Sequence, residues 1–69
     1  RALADFSESL RQYPKDGWTW AQRGVTHRVR GDYDEAIADL TEAINLGRKE
    51  AWVFAARGLS YRLNEQYAE

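Results

Sequence analysis

Apolar residues recur along this chain at steps of three and four, the spacing that lines one face of an α-helix. Ala36, Ile37, Leu40, Ala43 and Ile44 form such a stripe, and the charged Asp39 and Glu42 are expected on the opposite face. Gly31-Asp32 interrupts the pattern, and Asp34 and Glu35 follow it where acidic side chains favour the positive end of a new helix. Pro14 and Gly47 punctuate two further ends, since proline cannot extend the hydrogen-bond ladder and glycine readily takes the left-handed cap conformation. The pattern predicts helices over 1–13, 17–30, 33–46 and 51–63, with residues 67–69 opening a fifth. The expected class is all-α.

The string also repeats itself. Shifted by 34 residues it makes 35 pairs, of which twelve are identical, among them Asp5/Asp39, Trp18/Trp52, Ala21/Ala55, Arg23/Arg57, Gly24/Gly58, Arg28/Arg62 and Tyr33/Tyr67. About two identities would arise by chance at ordinary residue frequencies. Other pairs are alike in chemistry, such as Leu3/Ile37, Trp20/Phe54, Val25/Leu59 and His27/Tyr61. Gly24 and Gly58 fall in the middle of predicted helices, where glycine costs roughly 0.5–1 kcal/mol relative to alanine. A close helix–helix approach explains such a residue at the same place in both copies. Ala36 and Ala43 are the expected small partners, with Trp20, Tyr33 and Leu40 filling the wider parts of the seam.

A helix-turn-helix period of this length resembles the tetratricopeptide repeat. The resemblance rests on Trp20, Gly24, Gly31-Asp32-Tyr33, Ala36, Leu40 and Ala43. It extends forward to Phe54, Gly58, Tyr61 and Tyr67, and backward to Ala2, Phe6 and Pro14. It implies antiparallel helical hairpins stacked as a right-handed α-solenoid, in one array segment over 1–69. That segment holds the second helix of a repeat at 1–13, a complete repeat at 17–47, the first helix of the next at 51–63 and the start of its second at 67–69. The sequence departs from the family pattern at Arg23 and Arg57, where leucine is usual. His27 stands in place of a tyrosine, Ser9 in place of an alanine and Arg48 in place of the loop proline.

Composition narrows the chemistry. Ten Lys and Arg balance eleven Asp and Glu for a net charge of −1, so the broad positive field that drives nucleic-acid or anionic-membrane binding is not expected. One histidine and no cysteine leave no conventional zinc ligand set. Apolar runs are short, no bilayer span or signal peptide is legible, and the lack of cysteine is compatible with the cytoplasm. No catalytic constellation and no phosphate-binding loop is present, so neither enzymatic activity nor a cofactor is expected. Leu, Ile, Val and Phe number only thirteen, a thin supply for a core in a chain that no disulfide staples.

Several side chains carry the functional expectations. Trp18 and Trp52 lie two residues from Trp20 and Phe54, so one aromatic of each pair must face away from the seam. The resemblance places Trp18 and Trp52 on the concave groove, and packing between successive repeats is the alternative. The candidate groove comprises Trp18, Ala21, Gln22, Val25 and Arg28, with Trp52, Ala55, Ala56, Leu59 and Arg62 one period on. Ala21, Val25, Ala55 and Leu59 are apolar where carboxylate-clamp members of the family carry polar side chains, so that clamp is not expected. Arg23 and Arg57 need a carboxylate or a route to water; Asp39 or Asp5 is the expected partner of Arg23, and Asp39 that of Arg57. His27 is expected as a packed position, and Arg28 and Arg62 complement the C-terminal ends of their helices.

The leading functional reading is a non-catalytic scaffold that presents a groove to a peptide or a partner protein. One alternative follows from the phase of the chain, which starts on a second helix and ends on a first: uncovered apolar faces that dock head to tail on other copies. A more distant one is RNA recognition by the related pentatricopeptide repeat, whose period is 35 residues and whose groove is basic.

Overall fold

The computed structural model describes residues 1–67. Its four helices are α1 (Ala2–Gln12), α2 (Gly17–Arg30), α3 (Tyr33–Asn45) and α4 (Ala51–Tyr67). Both helix ends of the central hairpin close in the same way. Gly31 takes φ 89° and Gly47 φ 102°, and in each case the next two amides turn back on the helix. Gly31 N donates to Arg28 O and Asp32 N to His27 O, while Gly47 N donates to Ile44 O and Arg48 N to Ala43 O. This is the Schellman arrangement, in which a left-handed glycine satisfies carbonyls that the helix leaves open. Ahead of α2, Asp16 caps the helix, accepting from the Thr19 hydroxyl at 2.8 Å and from its amide.

The fourth helix departs from the expected boundaries. It continues to Tyr67 instead of stopping near residue 63, so Tyr67 prolongs α4 and does not open a fifth helix. The cause is local: the repeat mate of Gly31 is Glu65, a good helix former with no left-handed preference. Residues 68–69 of the expected fifth helix lie outside the described residues.

Among the described residues α3 packs against both α2 and α4, α2 touches α4, and α1 docks on α2 alone. The shared interior is Ala21, Leu40, Ala43 and Val53, all fully buried, with Trp20, Val25, Ile44 and Ala56 packed against them. Three alanine-sized positions in this seam, Ala21, Ala36 and Ala43, have no exposed surface. Small residues there let the helix backbones approach until contact replaces water, which is how a chain poor in large aliphatics reaches native packing density.

Gly24 is the tightest point. A Cβ added there would lie 2.8 Å from Leu40 Cγ and 3.2 Å from Asp39 Cβ, so the glycine meets the bulky Leu40 and not the predicted Ala36 and Ala43. Gly58, its mate, opens on empty space; the close approach expected there is not formed among the described residues. A second close approach was not legible in the pattern. Gly17 is buried, and a Cβ on it would come within 3.0 Å of Arg48 Cγ; its mate is Ala51, so the repeat offered no paired glycine as a signal.

Candidate protein-interaction surface

The polar centre of the hairpin is an Arg–carboxylate pair. Arg23 Nε donates to Asp39 Oδ2 at 2.7 Å and Arg23 Nη2 to Asp39 Oδ1 at 2.9 Å, a bidentate fork. Asp39 is buried, its side chain only 6% exposed, which corrects the expectation that its charge would hold it on the solvated face. At positions 36, 39, 40 and 43 it belongs to the buried stripe, and the guanidinium makes that burial possible. Hydrogen bonding to Asp39 raises the Arg23 guanidinium above its ordinary value, against the opposing effect of burial. Arg23 also donates from Nη1 to Ser7 Oγ on α1 at 3.2 Å and lies 5.0 Å over the Trp20 ring, while Trp20 Nε1 donates to Pro14 O at 2.8 Å. His27 completes the cluster, with Nε2 3.7 Å from Asp39 Oδ2 and Nδ1 3.5 Å from Asp32 Oδ2.

Arg57 does not follow the expected pairing with Asp39. Its Nη1 donates to Thr41 Oγ1 at 3.2 Å, and the guanidinium lies 5.9 Å over the Phe54 ring. Asp39 is already occupied by Arg23, whose fork fills both carboxylate oxygens.

The candidate groove residues divide by burial. Trp18 and Trp52 stay exposed at 46% and 41%. Gln22, Val25, Arg28, Ala56 and Leu59 are half-buried, and Ala55 and Arg62 are exposed. Ala21 is fully buried in the core with Val53 of α4 and is removed from any contact surface. Its position lies about 60° round the helix from Trp18 at the usual angular step, enough to turn it from the open face into the neighbouring helix. On the seam list, Ala36, Leu40, Ala43 and Gly24 are buried, Trp20 and Tyr33 half-buried, and Phe54 and Gly58 exposed. Trp18, Gln22 and Val25 follow a helical stripe on α2, and their mates Trp52, Ala56 and Leu59 repeat it on the adjacent α4. Neither Arg28 nor Arg62 forms an ion pair among the described residues, and the Arg28 Nε is buried without a hydrogen-bond partner.

No group of three or more His, Cys, Asp or Glu side chains placed to hold a metal occurs among the described residues. No helix among them is long and apolar enough to cross a membrane.

Two helices joined by a glycine-capped turn, repeated at a fixed period, define the class of helical-hairpin repeat proteins. The tetratricopeptide repeat family model matches residues 6–38, a window spanning most of α1, all of α2 and the start of α3. Over those residues, just under half of the chain, it is similar to the tetratricopeptide repeat family, whose members serve generally as protein-interaction scaffolds and are typically non-catalytic. No curated protein and no solved structure matches the chain.

Proposed function

We propose that the stripes of α2 and α4 together form a groove that takes up an extended or helical segment of a partner protein. Trp18 and Trp52 are the anchors. Gln22, Val25, Ala56 and Leu59 form the floor, Ala55 one edge, and Arg28 and Arg62 supply positive charge to acidic groups of the ligand. The observation that carries this reading is the pair of tryptophans one period apart, both left more than two-fifths exposed in a chain with few large apolar residues. Tryptophan and arginine are the side chains that most often dominate interface energetics. The near-neutral net charge supports a peptide ligand over a phosphate backbone, whose binding needs many cations.

The test is selection from a random peptide library on the immobilised chain, followed by affinity measurement. Selected peptides are expected to be acidic and to weaken by at least about tenfold against Trp18→Ala or Trp52→Ala, with helicity unchanged by circular dichroism. Binders that tolerate both substitutions would remove the groove from consideration.

A second reading, self-association head to tail, is supported by the exposure of Asp5, Phe54 and Gly58, the period mates of seam residues.

A further inference from the structure

Among the described residues α2 is the one helix that touches all three others, yet a stripe along it stays open. Trp18, Gln22, Val25 and Val29 follow one another at steps of four, three and four, and Val29 is 73% exposed. The same steps run from Trp52 to Leu63 on α4. The two stripes run in the same direction, because α3 is antiparallel to both helices. Gly17 at the start of α2 lies against Leu46 and Arg48 just past the end of α3, and Asn64 near the end of α4 donates to Asp34 at the start of α3 at 2.9 Å. Between the stripes sits one cation. Ala21 and Arg28 are two turns apart and share a flank of α2; Ala21 is buried with Val53 of α4, so Arg28 continues the flank that turns to α4. Arg62, its mate, is exposed and lies half a turn round α4 from Val53. Charge is also segregated. The helix α2 carries Arg23, Arg28 and Arg30 and no Asp or Glu, whereas α3 carries Asp34, Glu35, Asp39 and Glu42 and no Lys or Arg. Arg23 and Arg30 have carboxylate partners in Asp39 and Asp32. Arg28 has none among the described residues, and its Nε is buried without a hydrogen bond.

We propose that the occupant of the groove is an amphipathic helix of a partner protein, lying between the two stripes antiparallel to α2 and α4, with a carboxylate of its first turn on Arg28. The proposal rests on the groove reading above and adds the conformation, the direction and the pairing of the ligand. Steps of four and three are the spacing at which one helix receives the side chains of another, and two such stripes in parallel form a seat for a third helix. From Trp18 to Val29 the stripe is about 16 Å long, three helical turns. Direction follows from charge. Arg28 lies at the C-terminal end of α2, so an antiparallel helix brings its N-terminus there. Its own dipole favours Asp or Glu at that end, and the unpartnered guanidinium supplies the matching charge. The apolar residues of the ligand then follow toward Trp18 and Trp52.

Selection on the immobilised chain from two peptide libraries tests this. One is randomised on an alanine-rich helical frame, and the other carries proline at every third position, which forbids a helix. The helical library is expected to yield binders that need Trp18 and carry Asp or Glu in the first turn. By fluorescence anisotropy such a peptide should bind Arg28→Gln at least about tenfold more weakly than the native chain, and Arg62→Gln within about twofold of it. Moving its acidic residues to the last turn should weaken it as much as Arg28→Gln does. Arg28→Glu should transfer the preference to the same peptide with lysine in its first turn, a gain that damage to the fold would not produce. Helical binders that need Trp18 but are indifferent to Arg28→Gln and to the placement of their acidic residues overturn the pairing and the direction while leaving the groove. Trp18-dependent binders from the proline library alone overturn the helical ligand and likewise leave the groove. If neither library yields a binder that needs Trp18, both readings fall.

Discussion

The α2–α3 hairpin and the period-mated faces of α1 and α4 carry closely related residues in different surroundings. Arg23 grips a buried aspartate, whereas Arg57 ends on a threonine. Asp39 is almost wholly enclosed, and Asp5 stands in water. Gly24 accommodates Leu40 at a distance no Cβ would tolerate, and Gly58 faces nothing. Identical side chains thus behave as core in one copy and as surface in the other, and what differs is the presence of the opposing helix. Burial in a repeat is a property of the contact between neighbours, not of either helix alone.

The largest expected consequence concerns the residue at the notch. Leu40→Ala removes a fully buried side chain and should cost about 2–5 kcal/mol, comparable to the whole stability of so small a core. Urea denaturation should show most of the cooperative transition lost. Phe6→Ala, at the half-buried mate, should cost less than half as much in dilute solution. Equal losses at the two sites would break the comparison.

Next in size is the ion pair. Asp39→Ala strands a largely buried guanidinium and is expected to cost about 2–4 kcal/mol, somewhat below the range for a fully buried pair because Arg23 keeps partial access to water. Asp5→Ala should change stability by no more than about 0.5 kcal/mol. Replacing Arg23 and Asp39 together by leucine should recover part of the loss, and a double-mutant cycle read by thermal denaturation would give the coupling.

The glycines sharpen the contrast by sign. Gly24→Ala must push Leu40 aside and should destabilise by about 1–3 kcal/mol, while Gly58→Ala, in an exposed helix interior, should stabilise the single chain by about 0.5–1 kcal/mol. Melting temperatures displaced in opposite directions are the expected result. Two shifts of the same sign would mean that α4 is already covered in solution.

The smallest effect belongs to acid. Hydrogen bonds from Arg11 and then Gln12 hold Glu8 below the usual carboxylate range, and Glu50 is lowered by its own backbone amide and then by Arg48 at 2.6 Å. Carboxylates with depressed folded values contribute stability that is present above their unfolded pKa and is lost as pH falls through the folded one. Both lie on the surface, so a modest, salt-screened loss below about pH 4.5 is expected in a pH-dependent melt. Glu8→Gln should flatten its share of that slope.

Much of the architecture was legible. Helix stops at Pro14, Gly31 and Gly47 follow from backbone chemistry that acts locally, and the 34-residue identities place equivalent residues without any knowledge of contacts. The Arg23–Asp39 pair was legible too, because an arginine where a leucine is usual has few ways to be buried. Other features were not. Charge alone puts Asp39 on the polar face, and its burial depends on a guanidinium sixteen residues away. Alanine carries no marker of which neighbour it touches, so the pattern does not separate the buried Ala21 from the groove. The overrun of α4 was written in Glu65, but the mated Tyr33 and Tyr67 pointed to a helix start at that place.

The sequence by itself determined that this chain forms helices, where three of them stop, and that their residues return with a fixed period, since these depend on dihedral preference, capping and one-dimensional spacing. Only the tertiary structure decided which copy of each repeated residue is interior. Enclosure requires a second helix within contact distance, and among the described residues α2 and α3 supply that to each other, while the mated faces of α1 and α4 meet no such neighbour.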